Sequence, residues 1–461
     1  MLLNYIRNIF FSVTFLVLLL SSNNLYASYA DTYGFSASGI ARGNAVTATV
    51  NDWSSVYYNM AGLGKTIKNS ESNNRLNGQL GISYLYAKPS FDIDINREIK
   101  GDKNLDVGRI TFGLAADLKN YIDMPESVSS ARFGIGIGIS SDLMLVKLTD
   151  IDHRTHNFFR YGREIEMPAI FAGVGFGFKD DKFGVGIGTV ICIRGEGPNI
   201  KADHIQLAPE PDKPMYNLPA DVYGEPRPVI GLYYSPSNSL DFGFSFRGEQ
   251  YLELDPLIIL AEIDVANVDL DLSLALFDYY TPNSYTFGVA YTPKNHSDFT
   301  FSFDIEFQQW SENKISPAKE DYWITKGYDF IEFDDILIPK IGLSYKISNR
   351  TTFMAGYYMQ PSCIDDDEYS GLFNYLDNDM HAFSWGLKRT FPPKWKLVKP
   401  FEINVAMQYQ YLKDRAVRKK RVDNSVSTSE GDSDYYWDNI NPDYEFGGDN
   451  FLVAVELVIK L

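Results

Sequence analysis

Four cations, Arg247, Lys340, Lys346 and Lys388, fall on the same face of alternating segments as Asp241, Glu249, Asp304, Glu306 and Glu402. A charge held away from bulk water attracts a counter-ion far more strongly than one in water. Two chemistries follow: ion pairs between neighbouring segments, or a place for the carboxylate head of a ligand. Catalysis has less to work with. The histidines are His153, His156, His204, His296 and His381, all in or beside expected loops and turns. His153 and His156 are spaced like a metal pair, but two ligands without a third at suitable spacing do not make a zinc site. No serine elbow or phosphate-binding glycine loop stands between a strand and a helix. The residue types therefore point to no catalytic centre, no metal and no cofactor. Cys192 and Cys363 fall in a strand and a loop, which is not a disulfide framework.

The elements that must position these charges alternate with period two. Phe299-Thr300-Phe301-Ser302-Phe303-Asp304-Ile305-Glu306-Phe307 sets apolar side chains on one face and polar ones on the other, as does Phe401–Tyr409. Successive side chains of a strand point to opposite faces. Fourteen segments read this way: 79–87, 107–118, 131–141, 167–178, 182–193, 226–235, 239–251, 283–292, 298–310, 336–347, 350–360, 380–389, 400–412 and 451–461. A soluble sandwich would show the same alternation. Connection length separates the two. Long connections (88–106, 142–166, 194–225, 252–282, 311–335, 361–379, 413–450) alternate with shorter ones such as Lys179–Asp181, Pro293–Ser297 and Ser348–Asn349. An even strand number with short turns at one end and long loops at the other is the arrangement of an outer-membrane barrel. The expected fold is all-β, a 14-stranded antiparallel transmembrane β-barrel over 79–461. Val268–Leu274 also alternates inside a long connection, and is read as an extramembrane extension or part of a folded loop.

Composition agrees. Aromatic residues make up 15% of the 461, with 31 Tyr and 31 Phe, as interfacial girdles require. Mean hydropathy is −0.21, and after the N-terminus no apolar run is long enough for a helical span. The net charge of −18 disfavours nucleic acid as a partner, because phosphates repel it. Residues 1–30 read as a signal peptide, with Arg7, the apolar run Ile9–Leu20, and cleavage expected after Ala30.

Two features go beyond a plain barrel. Gly134, Gly136 and Gly138 alternate with isoleucines, and Gly173–Gly177 and Gly184–Gly188 repeat the pattern. The aliphatic face must meet lipid, so these glycines face inward and leave room for an occupant. Secondly, connection 252–282 holds Leu257-Ile258-Ile259-Leu260 and Leu272–Phe277, unusually apolar for an outside loop. An exposed apolar patch is costly unless it binds something. Ile258, Ile259 and Leu260, with segment 194–225, are the candidate entry groove for a hydrophobic ligand.

The occupant suggests itself ahead of the first strand. Tyr33-Gly34-Phe35-Ser36-Ala37-Ser38-Gly39-Ile40-Ala41-Arg42-Gly43-Asn44-Ala45, then Asn51-Asp52-Trp53 through Asn59-Met60-Ala61-Gly62-Leu63, resembles the mature N-terminus of the FadL/TodX family of outer-membrane transporters. Asn59-Met60-Ala61 stands where that family has Asn-Pro-Ala. The resemblance implies a monomeric barrel in the bacterial outer membrane, its lumen closed by an N-terminal hatch over 31–78. It implies passive carriage of hydrophobic small molecules such as fatty acids, alkanes or aromatics by loop capture, hatch movement and lateral exit near the third strand into lipid. Phe35, Arg42, Asn59, Met60 and Ala61 would be hatch residues, with Arg42 pinning it to the wall and Met60 bearing on its rigidity. The alternatives are an outer-membrane lipid hydrolase, which needs a Ser/His pair on adjacent strands that is not apparent, and a structural or adhesion barrel, which needs no hatch.

Overall fold

A computed structural model describes residues 30–67, 78–95, 106–140, 148–150, 156–158, 169–196, 201–206, 221–252, 254–255, 258–265, 268–276, 279–312, 333–364, 368–369, 374–392, 399–419 and 443–461. Fourteen strands form its wall: β1 Gly78–Ile95, β2 Val107–Asp117, β3 Val128–Ser140, β4 Ala169–Phe178, β5 Phe183–Glu196, β6 Asp221–Ser237, β7 Leu240–Arg247, β8 Ser284–Tyr291, β9 Phe299–Gln308, β10 Ile336–Ser348, β11 Thr351–Gln360, β12 Met380–Phe391, β13 Phe401–Lys419 and β14 Tyr444–Lys460. Each pairs antiparallel with its neighbours in chain order, and β1 pairs with β14 from Gln79↔Lys460 to Ile95↔Tyr444. The sheet is closed. All fourteen expected strands are present, several longer than alternation alone indicated.

Burial follows the two faces in an inverted sense. Ile82, Phe287, Phe303 and Trp385 are exposed, whereas Asp304, Gln408, Gln410, Asn450 and Glu456 are completely buried. Apolar out and polar in excludes the sandwich, whose core would be the apolar face. No described helix is long and apolar enough to cross a membrane. Exposed tyrosines including Tyr84, Tyr86, Tyr409 and Tyr411 suit the headgroup level, where a ring with a polar tip is at home.

Outside the wall, strands from three long connections form one four-stranded sheet. Ile258–Val265 pairs antiparallel with Val268–Leu276, whose far end meets Leu148–Asp150. Lys201–Gln206 adds in parallel to Ile258–Val265. Val268–Leu274 therefore belongs to a folded loop. Leu257 and Phe277 lie outside the described residues, and over 250–279 nearly all is described as backbone alone.

Candidate functional site: the lumen

Residues 31–67 form an irregular chain of short turns whose side chains are almost all buried. The segment lies against the inner faces of the strands. Its local order comes from small polar residues acting as caps. Ser36 accepts from Gly39 N–H and opens the turn Ala37–Ile40. Asn59 accepts from Ala61 N–H and opens the 3-10 turn Met60–Gly64, while its amide group donates to the carbonyls of Thr47 (2.8 Å) and Leu232 (3.0 Å). Such capping satisfies first-turn N–H groups that have no partner within the helix. Met60 takes the first helical position, where a proline is also at ease because that N–H is not needed in the ladder. Replacing proline with Met60 thus leaves the turn intact, and the buried thioether fills space beside Gly173 and Gly188.

Glycine admits the segment almost all the way round. The sequence pattern singled out β3, β4 and β5. The structure adds single glycines on β1, β2, β6, β7, β8, β10, β11 and β12, including Gly113, Gly231, Gly288 and Gly342. A Cβ at Gly175 would lie 2.6 Å from Gly64 N, and one at Gly134 2.6 Å from Val56 Cγ1, so a side chain at either would collide with the segment. Two strands with no glycine against the segment carry carboxylates there instead. Asp304 on β9 accepts from Thr47 N–H at 2.9 Å. Glu456 on β14 accepts from Ser38 N–H (3.0 Å), Trp53 Nε1 (2.8 Å) and Asn404 Nδ2 (2.9 Å). A carboxylate taken out of water needs such donors.

Arg132 on β3 grips the lower end. Its Nε donates to Leu63 O at 2.7 Å, and its Nη2 lies 2.7–2.9 Å from the carbonyl oxygens of Asn51, Gly62 and Lys65. Asp181, in the turn between β4 and β5, accepts from Thr66 N–H at 3.0 Å. Burial pushes the Lys65 ammonium below its ordinary pKa, although Asp241 and Asp181 pull it up. Lys65 donates to Ala48 O at 2.6 Å and lies over the Tyr233 ring.

An aromatic cluster joins the two ends. Phe35 stacks on Tyr57 at 5.2 Å between centroids and meets Trp53 at 5.5 Å and Phe171 at 5.7 Å. Tyr58 accepts from Phe35 N–H and donates to Asn44 Oδ1, each at 2.9 Å. Burial pushes its phenol up to about 12.

Above the segment, towards the long loops, lies a polar pocket lined by Asp31, Thr47, Tyr57, Arg247, Glu306 and Lys340 among others. The centre of a water-sized sphere has about 20 Å³ in which to sit, room for one or two waters. Arg247 pairs with Asp31, and Lys340 with Glu306. Arg247 also stands 4.0 Å from Glu306 and covers the Tyr57 ring at 4.4 Å. The other expected cations lie elsewhere. Lys388 pairs with Glu402 at 3.1 Å, and Glu402 takes Lys460 at 2.6 Å, towards the short-turn end. Lys346 is exposed at the short-turn end of β10. Arg42 hydrogen-bonds within its own segment, Nε to Ser38 O and Nη1 to Thr49 Oγ1, each at 3.0 Å. Burial lowers its pKa, against the pull of Asp52, Tyr58, Asp304 and Glu456. Of the cations named from sequence, the fold brings together Arg247 and Lys340. Trp53, Asp31, Arg132 and Glu456 escaped notice. The signals available were a tryptophan in a polar stretch, an aspartate at the segment's head, and an arginine and a glutamate breaking the small or apolar inner faces of β3 and β14.

No family model matches the chain. Alkane uptake protein A of Marinobacter nauticus is 25% identical over 186 residues, 40% of this chain and 40% of that protein. The match thus spans less than half of the relative's length. Among solved structures, a Pseudomonas aeruginosa FadL homologue superposes with a TM-score of 0.51 at 11% identity, covering 92% of this chain and 98% of that one. A variant of the TodX monoaromatic hydrocarbon channel gives 0.50 at 14% identity, covering 94% and 100%. The closed fourteen-stranded wall is thus the fold of that FadL homologue.

Proposed function

We propose that the chain is a passive outer-membrane channel for hydrophobic compounds and that residues 31–67 act as its hatch. The carrying observation is the segment seated on glycines around the wall, with a pocket beside it that has room for one or two waters. A lumen so filled cannot work as an open pore. A structural barrel would gain nothing from eleven strands bared of Cβ at one level. The names of the relatives, alkane uptake and monoaromatic hydrocarbon channel, agree in ligand class.

In this reading a ligand is captured at the external hairpin 258–276, where Ile258, Ile259 and Leu260 share a sheet with Lys201–Gln206. It descends to the pocket at Arg247 and Lys340, displaces part of the hatch, and leaves sideways into lipid. The seam between β3 and β4 is the candidate exit, because their register shifts at Ser129. Lys388 and Lys346 stand on the far side of the hatch. Phe35, Asn59, Met60 and Ala61 seat it.

Proteoliposome swelling tests the reading. Wild type should exclude sugars yet admit decane, and deletion of Tyr33–Gly64 should let sugars through. Replacing Ile258 and Ile259 with Asp should lower decane entry several-fold without unfolding the barrel. Equal sugar entry with and without the segment would remove the hatch. Release of acyl chains from labelled phospholipid by the purified protein would instead favour a hydrolase.

A further inference from the structure

The chain is acidic, with 60 Asp and Glu against 42 Lys and Arg, yet the charge is unevenly spread. From Ile336 to Ile364 and from Met380 to Phe401 the sequence has no carboxylate. These stretches hold the whole of β10, β11 and β12, which are neighbours in the wall. Two of their cations point inward, Lys340 to Glu306 and Lys388 to Glu402. Arg350, Arg389 and Lys399 are exposed at the short-turn end. The connection 390–399 adds Lys394 and Lys396 to the sequence there, and still no acid.

Arg389 stands on the lipid side of the wall. Residues directly opposite one another across an antiparallel pair share a face. One rung towards the bilayer centre, Tyr345, Phe353 and Leu387 lie side by side on β10, β11 and β12. Thr351 and Ile403 flank Arg389 on its own rung. One rung further out, Phe391 stacks on Phe401 at 4.8 Å between centroids. The guanidinium is thus bracketed by apolar side chains, at the depth where acyl chains give way to head groups. It donates to Thr351 Oγ1 at 3.3 Å and lies 5.9 Å from the Phe391 ring. Among the described residues no carboxylate pairs with it. Glu402 on β13 faces the lumen and is taken by Lys388 and Lys460. Arg350 is close by, its carbonyl accepting from Thr390 N–H at 2.9 Å.

A lipid-facing cation without a protein counter-ion is costly unless it reaches a head group. The phosphate diester of a phospholipid offers two oxygens to the fork of a guanidinium. The surplus of positive charge around it favours a head group of net negative charge over a zwitterionic one. Short turns mark the periplasmic end of such a barrel. We infer that the outer face of β10–β13 at this end binds one anionic phospholipid of the inner leaflet, with its phosphate on Arg389 and its net charge met by Arg350 and Lys399. The lipid is a resident of the wall rather than cargo, and it fixes the depth and rotation of the barrel in the membrane. It sits on the other side of the wall from the hatch, so the site is independent of what passes through the lumen.

The test is native mass spectrometry of the full chain in mild detergent, titrated with phosphatidylglycerol or phosphatidylcholine of the same acyl chains. Wild type should retain one phosphatidylglycerol about tenfold more tightly than phosphatidylcholine. Arg389→Gln should weaken phosphatidylglycerol about fivefold and leave phosphatidylcholine unchanged, and Arg389→Lys should restore part of the difference. Arg418→Gln, which removes an exposed cation at the long-loop end of β13, should change nothing. Excess inorganic phosphate should not displace the lipid. The inference is overturned if wild type binds the two lipids equally, or if Arg389→Gln keeps the preference. It is equally overturned if Arg418→Gln loses the preference to the same degree, because the effect would then be one of overall charge. Displacement by inorganic phosphate also overturns it, since the site would then take a free anion. Should Arg389→Gln fail to fold, as judged by heat-modifiable gel mobility, the double variant Arg350→Gln with Lys399→Gln decides by the same fall in preference.

Discussion

Both ends of the N-terminal segment are gripped by the wall, and the upper end alone adds an ion pair beside a pocket. The lower end, 51–66, is fixed through its backbone. Arg132 collects carbonyls of Asn51, Gly62, Leu63 and Lys65, Asp181 takes Thr66 N–H, and the glycines of β3–β6 close on the turn Met60–Gly64. At the upper end the wall also takes the backbone, with Tyr358 and Gln410 donating to Thr32 O (3.1 Å each) and Thr111 to Phe35 O (2.8 Å), but Asp31 adds an ion pair with Arg247 and accepts from the Tyr57 hydroxyl beside a pocket with room for water. Backbone clamps cannot be exchanged for a ligand without unfolding the segment. A side-chain ion pair can be exchanged for another ion. The base, where one guanidinium collects four carbonyls, is the more firmly held of the two ends.

The largest expected effect comes from breaking the base. Arg132→Ala strands buried carbonyls that a guanidinium now serves, at a cost of about 3–5 kcal/mol. It should lower the denaturant midpoint and raise single-channel conductance in planar bilayers. Gly175→Val drives a side chain into Gly64 and should cost about 1–3 kcal/mol. Its conductance should rise like that of Arg132→Ala, and a silent Gly175→Val would mean that the base is loosely seated. Trp53→Phe keeps the ring but leaves Glu456 one donor short, about 1–2 kcal/mol, read from the same midpoint. The smallest effect concerns the contact between Tyr58, Phe35 and Asn44. Its phenol lies above the ordinary value of 10 in the folded chain, at about 12. The contribution is therefore full below about pH 10 and lost as the pH climbs through 12. Phenolate absorbance near 295 nm, compared with Tyr58→Phe, should show a late component. A component titrating near 10 would mean that the tip is already solvated.

The wall was legible in the sequence because one face of each strand must meet lipid, and that requirement writes a period-two pattern into β9 or β13 without reference to any other residue. The glycine runs of β3–β5 were legible for the same reason. Single glycines such as Gly113 and Gly342 were not, since one small residue per strand has no period. Arg132 and Glu456 were hidden more deeply. Their role depends on which backbone groups of a non-periodic segment come to face them, which only the closed barrel decides. Arg42 shows the converse. A cation in the segment suggested a pin to the wall, whereas its hydrogen bonds stay in the segment and a wall cation, Arg132, reaches inward.

The most direct measurement is amide hydrogen–deuterium exchange on the full chain in lipid nanodiscs, with and without saturating decane, resolved into peptides covering 31–37 and 53–66. The expected result is faster exchange in 31–37 on adding decane, with 53–66 protected in both conditions. Exchange that accelerates together in both peptides, or a base that exchanges as fast as the tip without ligand, would contradict a base held more firmly than the tip.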